Sequence, residues 1–242
     1  MLFKDIHFET IDSTQTWAKE HLDACDPLAI TCITADEQTK GRGRFQRKWI
    51  SPKGQNMYAT FVFRLPLDTP HLISIAQIAT LTLAKLLLKK KITPQIKWPN
   101  DLLLSGKKAA GVLCETSYQK NHVAIFLGIG INVNLDQKSL EEIDQPATSL
   151  KVATGHAWDL ELLLNEYKQG LGEDLSLFQK EGFAPFYPLF DKLLAYKGKE
   201  IKAYDGKKEW IGVLHSISPE GQLNLLLPNG ERKTILSGDI KP

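Results

Sequence analysis

At Tyr196-Lys197-Gly198 the chain changes character. Upstream, the strongest periodic signal is helical: Leu72, Ile75, Ala76, Ala79, Leu83, Leu86 and Leu87 recur on one face. Thr69-Pro70 reads as a cap followed by proline at the first helical position, and Lys89, Lys90 and Lys91 suit a C-terminus, with Pro94 beyond. Downstream, short strand-like runs are separated by Asp205-Gly206, Pro219-Glu220-Gly221 and Asn229-Gly230, all hairpin-type turns. A helix with one apolar face has to be buried against another layer, whereas four or five short strands joined by tight turns close on themselves. The sequence therefore divides into residues 1–195, an α+β unit, and residues 196–242, a small barrel-like β domain.

Within the first unit, Asp12-Ser13-Thr14-Gln15 precedes a short helix over residues 16–21, and a hydroxyl in that place caps the helix or, alternatively, binds a small polar ligand group. Strands are expected over residues 28–35, 57–65, 95–98 and 122–133, with Ala59, Phe61 and Phe63 on one face of the second. A hairpin turns at Ser105-Gly106, and its return strand carries Lys107, Lys108 and Gly111 to about Thr116. Residues 137–154 read as loop or short helix. Asp159 caps a helix from Leu160 to about Gln169, with more helix to Lys180 and again from Pro185 to Leu194.

Charge and composition narrow the function. The formal net charge of +2 over 242 residues is far below that of most nucleic-acid-binding domains, so any basic loop acts locally. Residues 72–88 form the longest apolar run, but Ser74, Gln77, Thr80, Thr82 and Lys85 interrupt it too often for a bilayer span. The first ten residues mix Lys4, Asp5 and Glu9 with apolar ones, unlike a signal peptide, and a cytoplasmic protein is expected. Cys25, Cys32 and Cys114 form no Cys-x-x-Cys pair, and the six histidines show no metal spacing.

Two stretches carry chemistry. From Gln38 to Trp49 the sequence is Gln-Thr-Lys-Gly-Arg-Gly-Arg-Phe-Gln-Arg-Lys-Trp, in which glycines let the backbone approach an anion while guanidinium forks close over it. The bland reading is a solvated basic turn. Lys97-Trp98-Pro99-Asn100-Asp101 is the second: proline restricts Trp98 and makes a rigid extended corner that aims Asn100 and Asp101 into one place. A carboxylate beside a cation suits a magnesium-bound nucleotide, with Asp101 for the ion and Lys97 for a phosphate oxygen, and Lys108 across the hairpin can point back at the same corner. The bland reading is a capped turn with a surface ion pair. No P-loop is present.

Together, Asp12-Ser13-Thr14, Gln38 with Gly41-Arg42-Gly43-Arg44 and Arg47-Lys48-Trp49, Lys97-Trp98-Pro99-Asn100-Asp101, Lys108 to Gly111, and Gly128 to Asn132 resemble the biotin–protein ligases in order and spacing, over nearly the whole chain. The resemblance implies a mixed-sheet catalytic domain of the biotin/lipoate ligase type followed by an SH3-like β-barrel. It implies an enzyme that makes biotinyl-5′-AMP from biotin and MgATP and passes biotin to a lysine of a biotin carboxyl carrier protein. Biotin-binding roles fall on Ser13, Thr14, Gln15, Gln38, Arg42, Gly43, Arg44, Lys108 and Gly111; Arg44, Arg47, Trp49, Lys97, Asn100 and Asn132 serve ATP and the adenylate, and Asp101 the Mg2+. Lys108 and Arg44 are the catalytic pair, Lys108 at the acyl phosphate and Arg44 retaining the adenylate. Gln15 stands where the family usually has Asn, with the same donor and acceptor but a longer reach. With twelve residues before Ser13, a monofunctional ligase without a helix-turn-helix domain or DNA binding is expected, as monomer or homodimer through a sheet edge.

The chemistry agrees with the residue types. A carboxylate attacking an anionic α-phosphate needs cations to offset repulsion and stabilise the leaving pyrophosphate, and no protein nucleophile. The nearest rival is a lipoate or octanoate ligase or transferase, which shares the fold; the pairing of the full basic loop with Lys-Trp-Pro-Asn-Asp favours biotin. A nucleic-acid-binding module using the loop and barrel is the rival from another class.

Overall fold

The computed structural model describes residues 1–242, the side chain of Gln46 excepted. In chain order the elements are β1 (Phe3–Ile11), α1 (Thr14–Glu20), β2 (Ile30–Gln38), β3 (Met57–Leu65), α2 (Ser74–Lys89), β4 (Gln95–Lys97), β5 (Asp101–Leu104), β6 (Lys107–Tyr118) and β7 (Val123–Ile131). Then follow α3 (Gln137–Leu140), α4 (Leu150–Thr154), α5 (Leu160–Glu181), α6 (Tyr187–Lys192), β8 (Glu200–Tyr204), β9 (Glu209–Ile217), β10 (Leu223–Leu226), β11 (Arg232–Ile235) and β12 (Asp239–Lys241).

The first seven strands form one mixed sheet in the order β1-β2-β3-β7-β6-β5-β4, with β1 and β2 parallel and every other pair antiparallel. A parallel pair needs a crossover, which α1 supplies. The two faces of the sheet are covered unequally. Met57, Ala59, Phe61, Phe63 and Leu65 of β3, with Ile125, Leu127 and Ile129 of β7, lie in one core with α2 and α5. On the opposite face α1 covers a smaller patch, where Ala18 packs on Val62, Ala124 and Phe126. Beyond that patch this face is left to Tyr58, Thr60, Gly128 and Gly130, whose strands pair Tyr58 with Gly130 and Thr60 with Gly128.

Several expected elements come out differently. β1 was not foreseen: its apolar residues Phe3, Ile6 and Phe8 are separated by exposed Lys4, Asp5 and His7, as suits an edge strand. α2 starts at Ser74 and not at Pro70, because His71 has a positive φ of 56° that stops the helix from extending back. α5 runs unbroken over 22 residues. Gly170 lies inside it, where the helix packs closely: a Cβ there would stand 3.1 Å from Thr82 Cγ2 of α2. Asp159 does cap it, accepting the Leu162 N–H at 3.0 Å, worth about 1 kcal/mol.

The last five strands form a separate antiparallel sheet in the order β11-β10-β9-β8-β12, of SH3-like type, with its anticipated turns at Gly206, Gly221 and Gly230, all at positive φ. Two of its contacts with the first unit bear on the site. At one, the 219–221 turn sits against α2 and Trp98: the Gly221 carbonyl accepts Trp98 Nε1–H at 3.0 Å and Gln77 Nε2–H at 2.6 Å, and Ser74 Oγ donates to the Glu220 carbonyl at 3.2 Å. At the other, Gly238 and Asp239 reach the basic loop. Among the described residues no helix is long and apolar enough to cross a membrane.

Candidate active site

The uncovered part of the sheet face is the floor of a cleft that is partly open to solvent. Glycines make the space. A Cβ on Gly128 would stand 2.7 Å from Gln15 Oε1, and one on Gly130 would stand 2.6 Å from Trp49 Nε1. Gly111, paired with Gly130 on the next strand, would put its Cβ 3.1 Å from Lys108 Nζ and 3.2 Å from Asp101 Oδ1. Lys108 and Gly111 are three residues apart, a spacing that puts side chains on opposite faces of a regular strand. The β5–β6 register shifts by one residue between Leu102 and Leu103, so that Asp101 pairs with Gly111 while Leu103 pairs with Lys108. That bulge turns Lys108 onto the same face as Asp101, and the two form an ion pair of 2.7 Å.

At the inner end the polar groups are neutral and buried or half-buried. Ser13 caps α1, its Oγ accepting the Thr16 N–H at 3.4 Å. Gln38 Oε1 accepts the Thr14 N–H at 3.0 Å, and Gln38 Nε2 donates to Ser51 Oγ at 3.2 Å. The hydroxyls of Thr14 and Thr60 lie 2.9 Å apart, and Thr60 Oγ1 donates to Gln15 Oε1 at 3.2 Å. Behind them, Glu115 takes a hydrogen bond from Gln15 Nε2 at 3.0 Å and pairs with Lys19 at 2.8 Å.

The outer end is ionic. The basic loop folds as a small hairpin: Gly43 N–H donates to the Arg47 carbonyl at 2.8 Å and Trp49 N–H to the Gly41 carbonyl at 2.9 Å, with Phe45 exposed at the tip in the left-handed region. Arg44 donates to Asn100 Oδ1 at 3.1 Å and to the Gly238 carbonyl at 2.8 Å; burial lowers its pKa, while Asp239 and Asp101 favour the cation. Asn100 Nδ2 in turn donates to the Val112 carbonyl. Asp239 bonds Arg47 at 3.0 Å and faces Lys97 at 3.7 Å. Burial pushes the Asp239 carboxyl up, but the charges of Lys97 and Arg47 outweigh it and hold it below the usual carboxylate range. The Nε of Arg42 is buried without a partner. Four cations, Arg44, Arg47, Lys97 and Lys108, thus share two carboxylates, so the rim favours an anion. Among the described residues no group of three or more His, Cys, Asp or Glu side chains gathers as a metal site.

This arrangement has counterparts among known proteins. Residues 7–132 match the model of the biotin/lipoate A/B protein ligase family. The chain is 34% identical to the biotin–[acetyl-CoA-carboxylase] ligase of Paracoccus denitrificans, over 86% of this chain and 88% of that one. It is 32% identical to the bifunctional ligase/repressor BirA of Escherichia coli strain K12, over 95% of this chain and 71% of that protein. The chain belongs to the biotin/lipoate A/B protein ligase family. Among solved structures it resembles the biotin protein ligase from Aquifex aeolicus in complex with biotin and ATP, with a TM-score of 0.84 and 32% identity, covering 98% of this chain and 97% of the other.

Against that family, the residues singled out in the sequence fall into one connected region. Ser13, Thr14, Gln15, Gln38, Arg42, Gly43, Arg44, Arg47, Trp49, Asn100, Asp101, Lys108 and Gly111 line the cleft, and Lys97 and Asn132 line its continuation towards Pro146 and Tyr196. Asn132 Nδ2 donates to the Thr148 carbonyl at 3.1 Å, which ties down the segment after α3. Sequence reasoning missed Tyr58 and Thr60 on the floor, Glu115 behind Gln15, and Asp239 from the second sheet. Thr60 was legible as the alternate face of a strand whose other face was assigned to the core. Asp239 offered only the weak signal of being the one acid in the last eleven residues.

Proposed function

We propose that this ligase joins biotin to ATP as biotinyl-5′-AMP and then transfers it to a lysine of a biotin carboxyl carrier protein. The observation that carries this reading is the Lys108–Asp101 pair of 2.7 Å, set on the glycine floor between a neutral inner end and a cationic rim. An acyl adenylate needs that sequence of environments: a polar pocket for the acid's ring, a cation where its carboxylate meets the α-phosphate, and further cations for pyrophosphate. Lys108 neutralises charge at the reacting oxygens, and Arg44, anchored by Asn100 and Gly238, closes over the adenylate.

Ser13, Thr14, Gln38, Arg42 and Gly43 hold biotin, with Gly111 leaving room for Lys108. Arg47, Lys97, Trp49, Asn100 and Asn132 serve ATP. Mg2+ fits the donor set in its usual manner, with one carboxylate from Asp101 and the other ligands from phosphates and water. Bound there, it would neutralise polyphosphate charge. Holding the carrier's lysine against the adenylate requires only that it arrive deprotonated at the rim. Because ATP is supplied inside the cell, the reaction is assigned to the cytoplasm. Residues 1–195 form the catalytic domain and residues 196–242 the small one.

The test is pyrophosphate release with MgATP and, separately, biotin, lipoate or octanoate, followed by mass analysis of an added carrier domain. Release with biotin and a carrier heavier by one biotinyl group is the expected result. Release with lipoate or octanoate instead would move the protein to the other branch of the family.

A further inference from the structure

The basic loop carries at its tip a side chain that neither end of the cleft uses. Phe45 is 55% exposed, with φ 55° and ψ 37°. A bulky residue is uncommon in the left-handed region, and such a conformation persists only where the surroundings impose it. Here they do. The bonds from Gly43 to Arg47 and from Trp49 to Gly41 close the hairpin behind the tip. The two nearest arginines are tied down, Arg44 to Asn100 and Gly238, and Arg47 to Asp239. Their guanidinium carbons stand 5.0 and 5.7 Å from the centroid of the Phe45 ring, within cation–π range. The ring borders the cleft and is held at its mouth instead of being folded into the space beneath. Among the described residues that line the cleft and its continuation, it is the one exposed large apolar side chain. A rigid aromatic presented to solvent loses little conformational freedom on contact, which is why protein interfaces use such anchors.

The reaction sets what must arrive at this mouth. In the second step an amine attacks the acyl carbonyl of the adenylate: the C–N bond forms, the bond from that carbon to the AMP oxygen breaks, AMP leaves with the electron pair, and the amine's proton passes to solvent. A lysine that reaches Lys108 through the mouth brings its own backbone to the rim, so its neighbours on the carrier's surface meet the tip of the loop. Lys40 and Lys48 of the same loop are exposed, while exposed Glu142 and Asp144 line the continuation of the cleft. The loop side of the mouth thus presents an apolar ring among cations. We propose that Phe45 is a docking residue for the carrier protein, an apolar contact for the side chains next to the acceptor lysine, with acidic groups of the carrier facing Lys40 and Lys48. The proposal rests on the carrier-lysine reading above. Phe45 takes no part in making the adenylate.

Two acceptors separate docking from chemistry. Hydroxylamine takes the acyl group from an adenylate as a hydroxamate and is too small to need a docking surface; a purified biotin carboxyl carrier domain of an acetyl-CoA carboxylase needs one. Both are given to wild type, Phe45→Asn and Phe45→Leu with biotin and MgATP. Asparagine suits the left-handed backbone but removes the apolar contact, and leucine keeps apolar bulk on the same backbone. In Phe45→Asn the carrier KM is expected to rise about tenfold, with hydroxamate formation, biotin KM and ATP KM unchanged. Phe45→Leu is expected to stay within about threefold of wild type for the carrier. A wild-type carrier KM in Phe45→Asn would overturn the proposal. So would a loss of hydroxamate formation equal to the loss of carrier transfer, which would place Phe45 in closure of the loop over the adenylate. A carrier KM raised in Phe45→Leu but not in Phe45→Asn would assign the effect to the backbone conformation and overturn it as well. Absence of hydroxamate from wild type with biotin would instead remove the parent reading.

Discussion

At the inner end of the cleft, Ser13, Thr14, Gln15, Gln38 and Thr60 are buried or half-buried, uncharged and bonded chiefly to one another, and all belong to the first sheet and its crossover helix. At the outer end, Arg44, Arg47 and Lys97 are bonded to Gly238 and Asp239, which come from the second sheet. The inner end is assembled within the first sheet and its crossover helix, from uncharged side chains. The outer end is completed only when the two sheets dock, and its ion pairs can be traded for a substrate's phosphates. Recognition of an organic ring needs the first kind of surface, and management of a polyanion needs the second.

Lys108 stands at the boundary, and its loss is the largest effect expected. Lys108→Ala removes the cation at the reacting oxygens while leaving both ends in place, so pyrophosphate release falls by about 10²–10³ with the melting temperature little changed. Stopped-turnover measurement of pyrophosphate with a circular dichroism melt checks this. Unchanged release would detach Lys108 from the chemistry.

A pair of glycines two residues apart on β7 tests the division itself. Gly128 lies under Gln15 and Gly130 under Trp49, and an added methyl at either meets atoms within 2.7 Å. Overpacking of this kind costs roughly 1–3 kcal/mol. Gly128→Ala is expected to raise KM for biotin and leave that for ATP, and Gly130→Ala to do the reverse, each by about tenfold. If both variants raise the same constant, the two ends are not independent.

The same contrast explains what was legible beforehand. The inner and rim residues carried by the two basic motifs were readable because each motif is local and chemically distinctive. The five short strands at the end were readable from Gly206, Gly221 and Gly230, whose turns depend on neighbours alone. Asp239 was not, since it meets Arg47 across 192 residues and its meaning exists only once the sheets have docked. Trp98 sat inside a motif read as holding a magnesium-bound nucleotide, yet its indole anchors the 219–221 turn, so one stretch also serves the docking. β1 escaped because its exposed residues are charged, and α5, expected as a helix to about Gln169 with more helix to Lys180, is one element whose Gly170 lets it pack closely on Thr82 of α2.

The docking contact should carry a pH signature. Asp239 has a folded-state pKa below its ordinary value, so its pairing stabilises the protein above the ordinary carboxylate range and is lost as pH falls through the folded value. Wild type should therefore melt above Asp239→Asn at neutral pH, and the gap should close below about pH 4. Melting curves of the two proteins across that range decide it; a gap independent of pH would mean that the asparagine disturbs packing and not charge.

The smallest effect expected is from salt, and it separates the ends without any substitution. Raising ionic strength from about 0.05 to 0.5 M shortens the screening length from roughly 14 to 4 Å. At the outer end this weakens the attraction between four cations and a polyphosphate, and it weakens the competing Asp239 pairs as well. The polyphosphate carries more charge than Asp239, so the first loss is greater and ATP KM should rise a few-fold. At the inner end the groups are neutral and biotin brings one carboxylate to Lys108 against the several charges of a polyphosphate, so biotin KM should rise less than ATP KM. Asp239→Asn leaves the same cations with one carboxylate fewer, which raises the net charge that ATP meets and steepens its salt dependence. Parallel slopes for ATP and biotin would mean that the charge of the rim reaches the inner end, and that the cleft acts as one field instead of two.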